Sequence, residues 1–230
     1  MREFVQTSVF FGMLLSLAAY GAGAWLKKKV RSSLISPLLV AVILTIAFLL
    51  LFRIDYAVYE SGAKYISYFL TPVTVCLAVP LYEQFEVLRK NAKAICLGIL
   101  AGVLMSLVSI FLLSLLFGLD RPMLVTLLPK SITTAIGMGV SEELGGYPSL
   151  TVAAIVITGN LGNILAPALC RLFRITDPVA RGIAIGTASH AVGTSRAMEM
   201  GEVEGAMSGL SIVVAGVMTV VLAPIFANFL

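Results

Sequence analysis

One histidine, His190, one tryptophan, Trp25, and three cysteines are all that 230 residues offer of these types. A metal site needs several His ligands or clustered Cys, so no metal is expected, and nothing implies another cofactor. Cys76, Cys96 and Cys170 are odd in number, widely spaced and set inside apolar runs, which points to packing rather than a disulfide framework. Charge is scarce at 12% of residues, while 59% are hydrophobic and mean hydropathy is +1.02. That balance excludes a soluble globular domain. The net charge of +4 does not indicate a nucleic-acid partner, because the basic residues sit at the ends of apolar runs as topology signals. Catalytic patterns are lacking too. Ser189 and His190 are adjacent, with no acid placed to orient the imidazole. Gly137-Met-Gly139 lacks the third glycine and the strand context of a dinucleotide fingerprint. The chain is not expected to be an enzyme.

What the sequence does contain is apolar runs of membrane-spanning length, so the expected fold is an all-α integral membrane protein whose solvent is the lipid bilayer. The first run, about Thr7 to Trp25, is followed by Lys27, Lys28, Lys29 and Arg31 rather than by the small-residue cleavage site of a signal peptide. The positive-inside rule puts that cluster in the cytoplasm and the N-terminus outside. Further spans are expected at about Leu34–Phe52, Tyr65–Tyr82 (interrupted by Pro72 and Pro80), Ala94–Phe117, Leu150–Leu172 and Ala206–Phe229. The loop with Arg53, Asp55, Glu60 and Lys64 fits the outer face, and Glu83–Lys93 the inner one.

Two remaining stretches, 122–143 and 178–200, align without a gap. Pro122 meets Pro178, Ser131 meets Thr187, Thr133 meets Ser189, Thr134 meets His190 and Gly145 meets Gly201. A fainter third copy aligns Pro72, Thr74 and Ala78 with Pro129, Ser131 and Ala135. If 122–143 crossed the membrane, Arg171, Arg174 and Arg181 would fall outside, against the positive-inside rule. Six full spans plus two re-entrant or broken helical segments are therefore preferred over eight full spans. Pro122 to Leu128, as helix, rises roughly 10–12 Å, which brings the polar tips near the midplane of a roughly 30 Å core. An odd number of crossings separates the copies, so they form inverted repeats, a build common in secondary transporters. Residues 1–118 read as N-terminal scaffold helices with a homodimer interface in the first two spans, and 119–230 as a transport region.

The tips carry the candidate chemistry. Half-helices starting near Ser131 and Ser189 would aim free N–H groups at a solute. Ser131, Thr133, Thr134, Thr187, Ser189 and Thr194 add hydroxyls, and Lys130, His190 and Arg196 add positive or switchable charge. A lysine at membrane depth costs a few kcal/mol, about 2.5–3.5 on insertion scales, so it marks function unless it snorkels from a shallower helix end. His190 is either a packed, hydrogen-bonded histidine or the proton-coupling group, since imidazole titrates near neutral pH. Arg196 is either a substrate clamp or an interfacial anchor. Serines and threonines also bond their own helix backbone. Asn160 and Asn163 either line the cavity or follow from packing through Gly159 and Gly162. Glu142, Glu143, Glu199, Glu202 and Glu204 read as solvated ends of the dips, with acceptance of a coupling proton by one of them as the alternative. The set favours a small carboxylate bearing a hydroxyl or carbonyl oxygen.

The segments Leu128-Pro-Lys-Ser-Ile-Thr-Thr-Ala-Ile, Asp177-Pro-Val-Ala-Arg-Gly-Ile-Ala-Ile-Gly-Thr-Ala-Ser-His-Ala-Val-Gly-Thr-Ser-Arg and Glu204-Gly-Ala-Met-Ser resemble the LrgB/CidB family of bacterial membrane proteins. Ala78-Val-Pro-Leu-Tyr-Glu-Gln and Ser36-Pro-Leu-Leu-Val-Ala extend the resemblance over essentially the whole chain. It departs at Thr134-Ala135, where the family often has Thr-Pro. The resemblance implies a multi-pass protein of the bacterial inner membrane and two roles. One is carriage of small monocarboxylates of the glycolate, glycerate, lactate or pyruvate kind, through similarity to the plastid glycolate/glycerate translocator. The other is antiholin-like control of murein hydrolase export and autolysis, with an LrgA-like membrane partner. The two polar tips favour the carrier.

Overall fold

The computed structural model describes residues 10–30, 37–69, 72, 76 and 78–229, and all regular structure among them is helical. Contacts divide the chain into two compact units, Met1–Cys76 and Leu77–Leu230.

In the first unit, α1 (Phe11–Val30), α2 (Pro37–Phe52) and α3 (Tyr56–Ser67) pack around α1. Gly12 of α1 lies directly on the Tyr59 carbonyl of α3, and Gly23 on Pro37 of α2, where a β-carbon would overlap the neighbouring backbone. Small residues let membrane helices approach in this way. Ser16 Oγ and Tyr59 OH, 2.8 Å apart, add a polar tie. Lys29 stacks its ammonium 4.9 Å from the Trp25 ring. Asp55 caps α3 by accepting from Ala57 N at 2.9 Å. Helix α3 thus begins inside the charged stretch that reads from sequence as an outer loop, because that cap stops the chain from continuing as coil. Within the expected third span, residues 70, 71, 73–75 and 77, including Thr74 of the fainter third copy, lie outside the described residues, as do Thr7–Val9, Arg31 and Leu34–Ser36.

The second unit begins with α4 (Ala78–Glu83) and α5 (Phe85–Phe117), followed by α6 (Arg121–Leu127), α7 (Thr134–Glu143), α8 (Pro148–Leu172), α9 (Pro178–Met200) and α10 (Glu202–Ala227). Helix α5 packs on α9 and α10, so it belongs with the site-bearing helices rather than with the first spans. Among the described residues three helices, α5, α8 and α10, are long and apolar enough to cross a membrane. At 33 residues α5 is about 50 Å long, so its N-terminal turns, with Glu86, Arg89, Lys90 and Lys93, overhang a roughly 30 Å core. Its buried stripe, Ile95, Ile99, Val103, Leu107, Ile110 and Ser114, recurs every three or four residues and faces the core. Gly118, at φ 63°, ends it in the left-handed conformation that glycine adopts without penalty.

The same order of elements then occurs twice. Asp120 caps α6 through Met123 N, residues 128–133 leave the helix, α7 follows, and α8 spans. Asp177 caps α9 through Ala180 N, the helix breaks at His190, and α10 spans. The first break is six residues wide. The second is one residue, at φ 41°, ψ −143°. Helices α9 and α10 pack most closely, because Gly182 and Gly186, one turn apart, sit against the Glu204 and Ser208 backbone of α10.

Candidate functional site

Helices α5 and α9 cross over a short contact, Gly98 against Ile183 and Gly102 against Thr187. Beside that contact lies a cleft of about 880 Å³. One wall is the face of α5 bearing Ala94, Gly98, Gly102, Ser106 and Ser109, the other the face of α9 bearing Ala180, Ala184, Thr187 and Ala188. Asn91 and Asp177 stand at one end, and Lys130 and Ser131, from the break between α6 and α7, also line it. The two polar tips therefore meet at one cavity: Ser131 from the first and Thr187 from the second. A second void of about 10 Å³, also bounded by Ser106, Ser131 and Thr187, is at the lower limit for one water.

Lys130 Nζ donates to Ser131 Oγ at 2.9 Å, and Ser131 Oγ lies 3.2 Å from Ser106 Oγ. An ammonium has three donors, and among the described residues no carboxylate pairs with this one. Thr187 is 5% exposed and its Oγ1 has no hydrogen-bond partner among the described residues. A buried hydroxyl left unpaired costs roughly 1–3 kcal/mol, and a charge held away from water without a partner costs more. A small anion at this end would supply acceptors to both groups. Ser106 and Ser109 went unseen in the sequence because they sit in an apolar run. The signal was there in Ala94, Gly98, Gly102, Ser106 and Ser109, small residues at steps of three or four on one helix face.

The remaining candidates lie elsewhere. His190 is 4% exposed, and its Nε2 is 3.1 Å from the Ile155 carbonyl of α8. Its ring lies over Gly159, and Ser189 lies over Gly162, so both glycines are sockets for the break. Thr194 Oγ1 donates to the His190 carbonyl at 3.0 Å and sits 2.7 Å from Ser208 Oγ of α10. Asn163 Nδ2 donates to the Val192 carbonyl at 2.9 Å. These contacts satisfy backbone carbonyls around the break, as non-helical backbone in a membrane protein requires. Asn160 Nδ2 turns back to its own helix at Val156 O, while its buried Oδ1 has no hydrogen-bond partner among the described residues. Thr133 is the N-cap of α7 without a side-chain cap bond, and Thr134 opens the helix; both are half-buried and away from the cleft walls. The helices after the breaks thus begin at Thr134 and past His190, beyond the Ser131 and Ser189 starts expected from sequence. Arg196 pairs with Glu199 one turn on. Glu204 is not a solvated end: it is 6% exposed, 3.7 Å from Arg181, because the close α9–α10 packing encloses it. Among the described residues no group of three or more His, Cys, Asp and Glu gathers as metal ligands would.

The LrgB-like family model matches residues 16–229. Proteins named antiholin-like protein LrgB from Bacillus cereus and Bacillus anthracis are each 39% identical over 222 residues, covering 96% of this chain and 96% of theirs. No solved structure matches the chain. With the family model matched along nearly its whole length and apolar helices able to cross a bilayer, this chain belongs to the LrgB-like family of membrane proteins.

Proposed function

We propose that this chain is a non-catalytic, antiholin-like protein of the bacterial cell membrane that modulates murein hydrolase export and autolysis. The observation that supports this is 39% identity, over 96% of both chains, to proteins bearing that name. Six spans with the N-terminus outside, a homodimer through the first two spans and an LrgA-like membrane partner complete the reading. Its test is complementation: in a strain lacking its own LrgB-like protein, this chain should restore restraint of hydrolase release. Unrestrained release at normal expression would refute it.

A second reading is favoured by one specific observation, the cleft at which Lys130, Ser131 and Thr187 meet. In it the chain carries small monocarboxylates of the glycolate, glycerate, lactate or pyruvate kind by alternating access. Lys130 neutralises the carboxylate, while Ser131 and Thr187 read the hydroxyl or keto oxygen. The two broken segments, as inverted repeats, expose the site to each side in turn. His190, bonded to α8 rather than facing the cleft, holds the break, and proton coupling falls to it only if the break moves. Uptake of labelled glycolate into vesicles of the purified protein, with and without a pH gradient, tests this. Saturable uptake lost in Lys130→Ala supports the carrier. Leak that is unsaturable and indifferent to Lys130 refutes it in favour of a pore, and loss of lysis control with no flux leaves the regulator alone.

A further inference from the structure

The cleft is much larger than a two- or three-carbon acid requires. Glycolate has five heavy atoms, and at no more than the roughly 30 Å³ that a water claims in the liquid they fill about a sixth of 880 Å³. Sites of this size ordinarily bury a drug-sized ligand against mostly apolar walls. Beyond Lys130 and Ser131 the walls are mostly apolar, with Gly98 and Met105 from α5 and Val179, Ile183 and Ala184 from α9; Ser106, Ser109 and Thr187 interrupt them, and Asn91 and Asp177 close one end. From Ala188 back to Asp177 this wall runs about 16 Å along α9. Ala180, Ala184 and Ala188 are exposed along it, so the trough is open to an occupant. The ammonium of Lys130, bonded to Ser131, and the buried hydroxyl of Thr187, without a partner among the described residues, both border the cleft.

From this we infer that the cleft binds a monocarboxylate with an aliphatic tail, its carboxylate on Lys130 and its chain in the α5–α9 trough. The inference rests on the reading that a carboxylate sits at Lys130, and adds that the tail beyond it is recognised. A charged head suits Lys130, the one cation among the described lining residues, and an aliphatic chain suits the glycines, alanines, Met105, Val179 and Ile183 of the trough. A two-carbon acid would leave that apolar surface uncovered.

The test is equilibrium dialysis of labelled octanoate against the full-length protein in nanodiscs, with empty nanodiscs as blank and acetate, butyrate and hexanoate as competitors. Each methylene buried should tighten binding about fourfold, so octanoate should outbind butyrate by roughly 200-fold. Lys130→Met, with Lys130→Gln as a second variant should the first misfold, should abolish binding of every acid. Ala184→Leu, at an exposed wall position, should weaken octanoate at least tenfold and leave butyrate unchanged. Lys130-dependent binding that ignores chain length would overturn the tail and leave the carboxylate reading standing. Butyrate binding with octanoate excluded would mean that protein, such as a second copy, fills the trough, and also overturns it. Octanoate uptake indifferent to both substitutions is partition into lipid and refutes the inference. No acid binding to folded wild type sinks the carboxylate reading with it.

Discussion

Replacing Gly159 by alanine adds a single methyl group where α8 rests on the break in α9. The new Cβ would lie 2.7 Å from both Cε1 and Nε2 of His190 and 3.0 Å from Val192 Cβ. The imidazole cannot swing aside, because it is 4% exposed and bonded to the Ile155 carbonyl one turn earlier on the same helix. Restoring ordinary contact means moving α8 and α9 apart by about half an ångström or more. Overpacking of this kind costs about 1–3 kcal/mol, and stretching the His190–Ile155 bond adds about 1 kcal/mol. Helix propensity returns about 1 kcal/mol, so Gly159→Ala should be destabilised by about 1–3 kcal/mol. The control is Gly139→Ala in α7, which has nothing within 4 Å of the added carbon and should be stabilised by about 0.5–1 kcal/mol. Thermal unfolding of the detergent-solubilised protein reads both, at about 2–4 °C per kcal/mol for a chain of this size. On a His190→Ala background the ring is gone, and Gly159→Ala should cost at least about 1 kcal/mol less. If Gly159→Ala melts like the control, or if the background makes no difference, the socket account of the break is refuted.

The other predictions concern the same unit. His190 holds φ 41° and ψ −143°, a conformation costing a residue with a β-carbon about 1–3 kcal/mol. His190→Gly should therefore melt higher than His190→Ala, the reverse of their order inside an ordinary helix; equal melting points would show that the break carries no strain. Thr151 Oγ1 ties the first dip to α8 through the Thr126 carbonyl at 2.9 Å and Ser141 Oγ at 2.8 Å, all buried. Thr151→Val leaves these without a partner and should cost about 1–3 kcal/mol; an unchanged melting point would refute the tie. Arg181 is the counter-charge of buried Glu204. Arg181→Gln should destabilise more than Arg181→Gln with Glu204→Gln, as removing one partner leaves a buried charge; the opposite order would refute the pairing.

Much of this was legible from residues alone. Prolines at 122 and 178, followed by hydroxyls and glycines, marked two interrupted helices, and the interruptions do fall at 128–133 and at His190, the partner of Thr134 in the alignment. Lys130, Ser131 and Thr187 reached the cleft as residues of the tips. The direction of His190 was not legible. Its side chain follows from one backbone torsion at the break, and nothing in residue order says whether the imidazole turns to the cleft or to the Ile155 carbonyl. The wall of α5 was also hidden, since a periodic stripe of Ala, Gly and Ser inside an apolar run reads equally well as helix packing. Glu204 looked like a solvated helix end, and only the glycine-mediated approach of α9 to α10 encloses it.

The measurement that bears most directly on the central claim, a family role exercised through the cleft, is hydrolase release in a strain lacking its own LrgB-like protein. The strain is complemented with wild type or Lys130→Met at equal membrane level. Wild type should restore restraint of release and Lys130→Met should fail to, because its ammonium faces Ser131 and the cleft. Full restoration by Lys130→Met would contradict the account and separate the cleft from the protein's work.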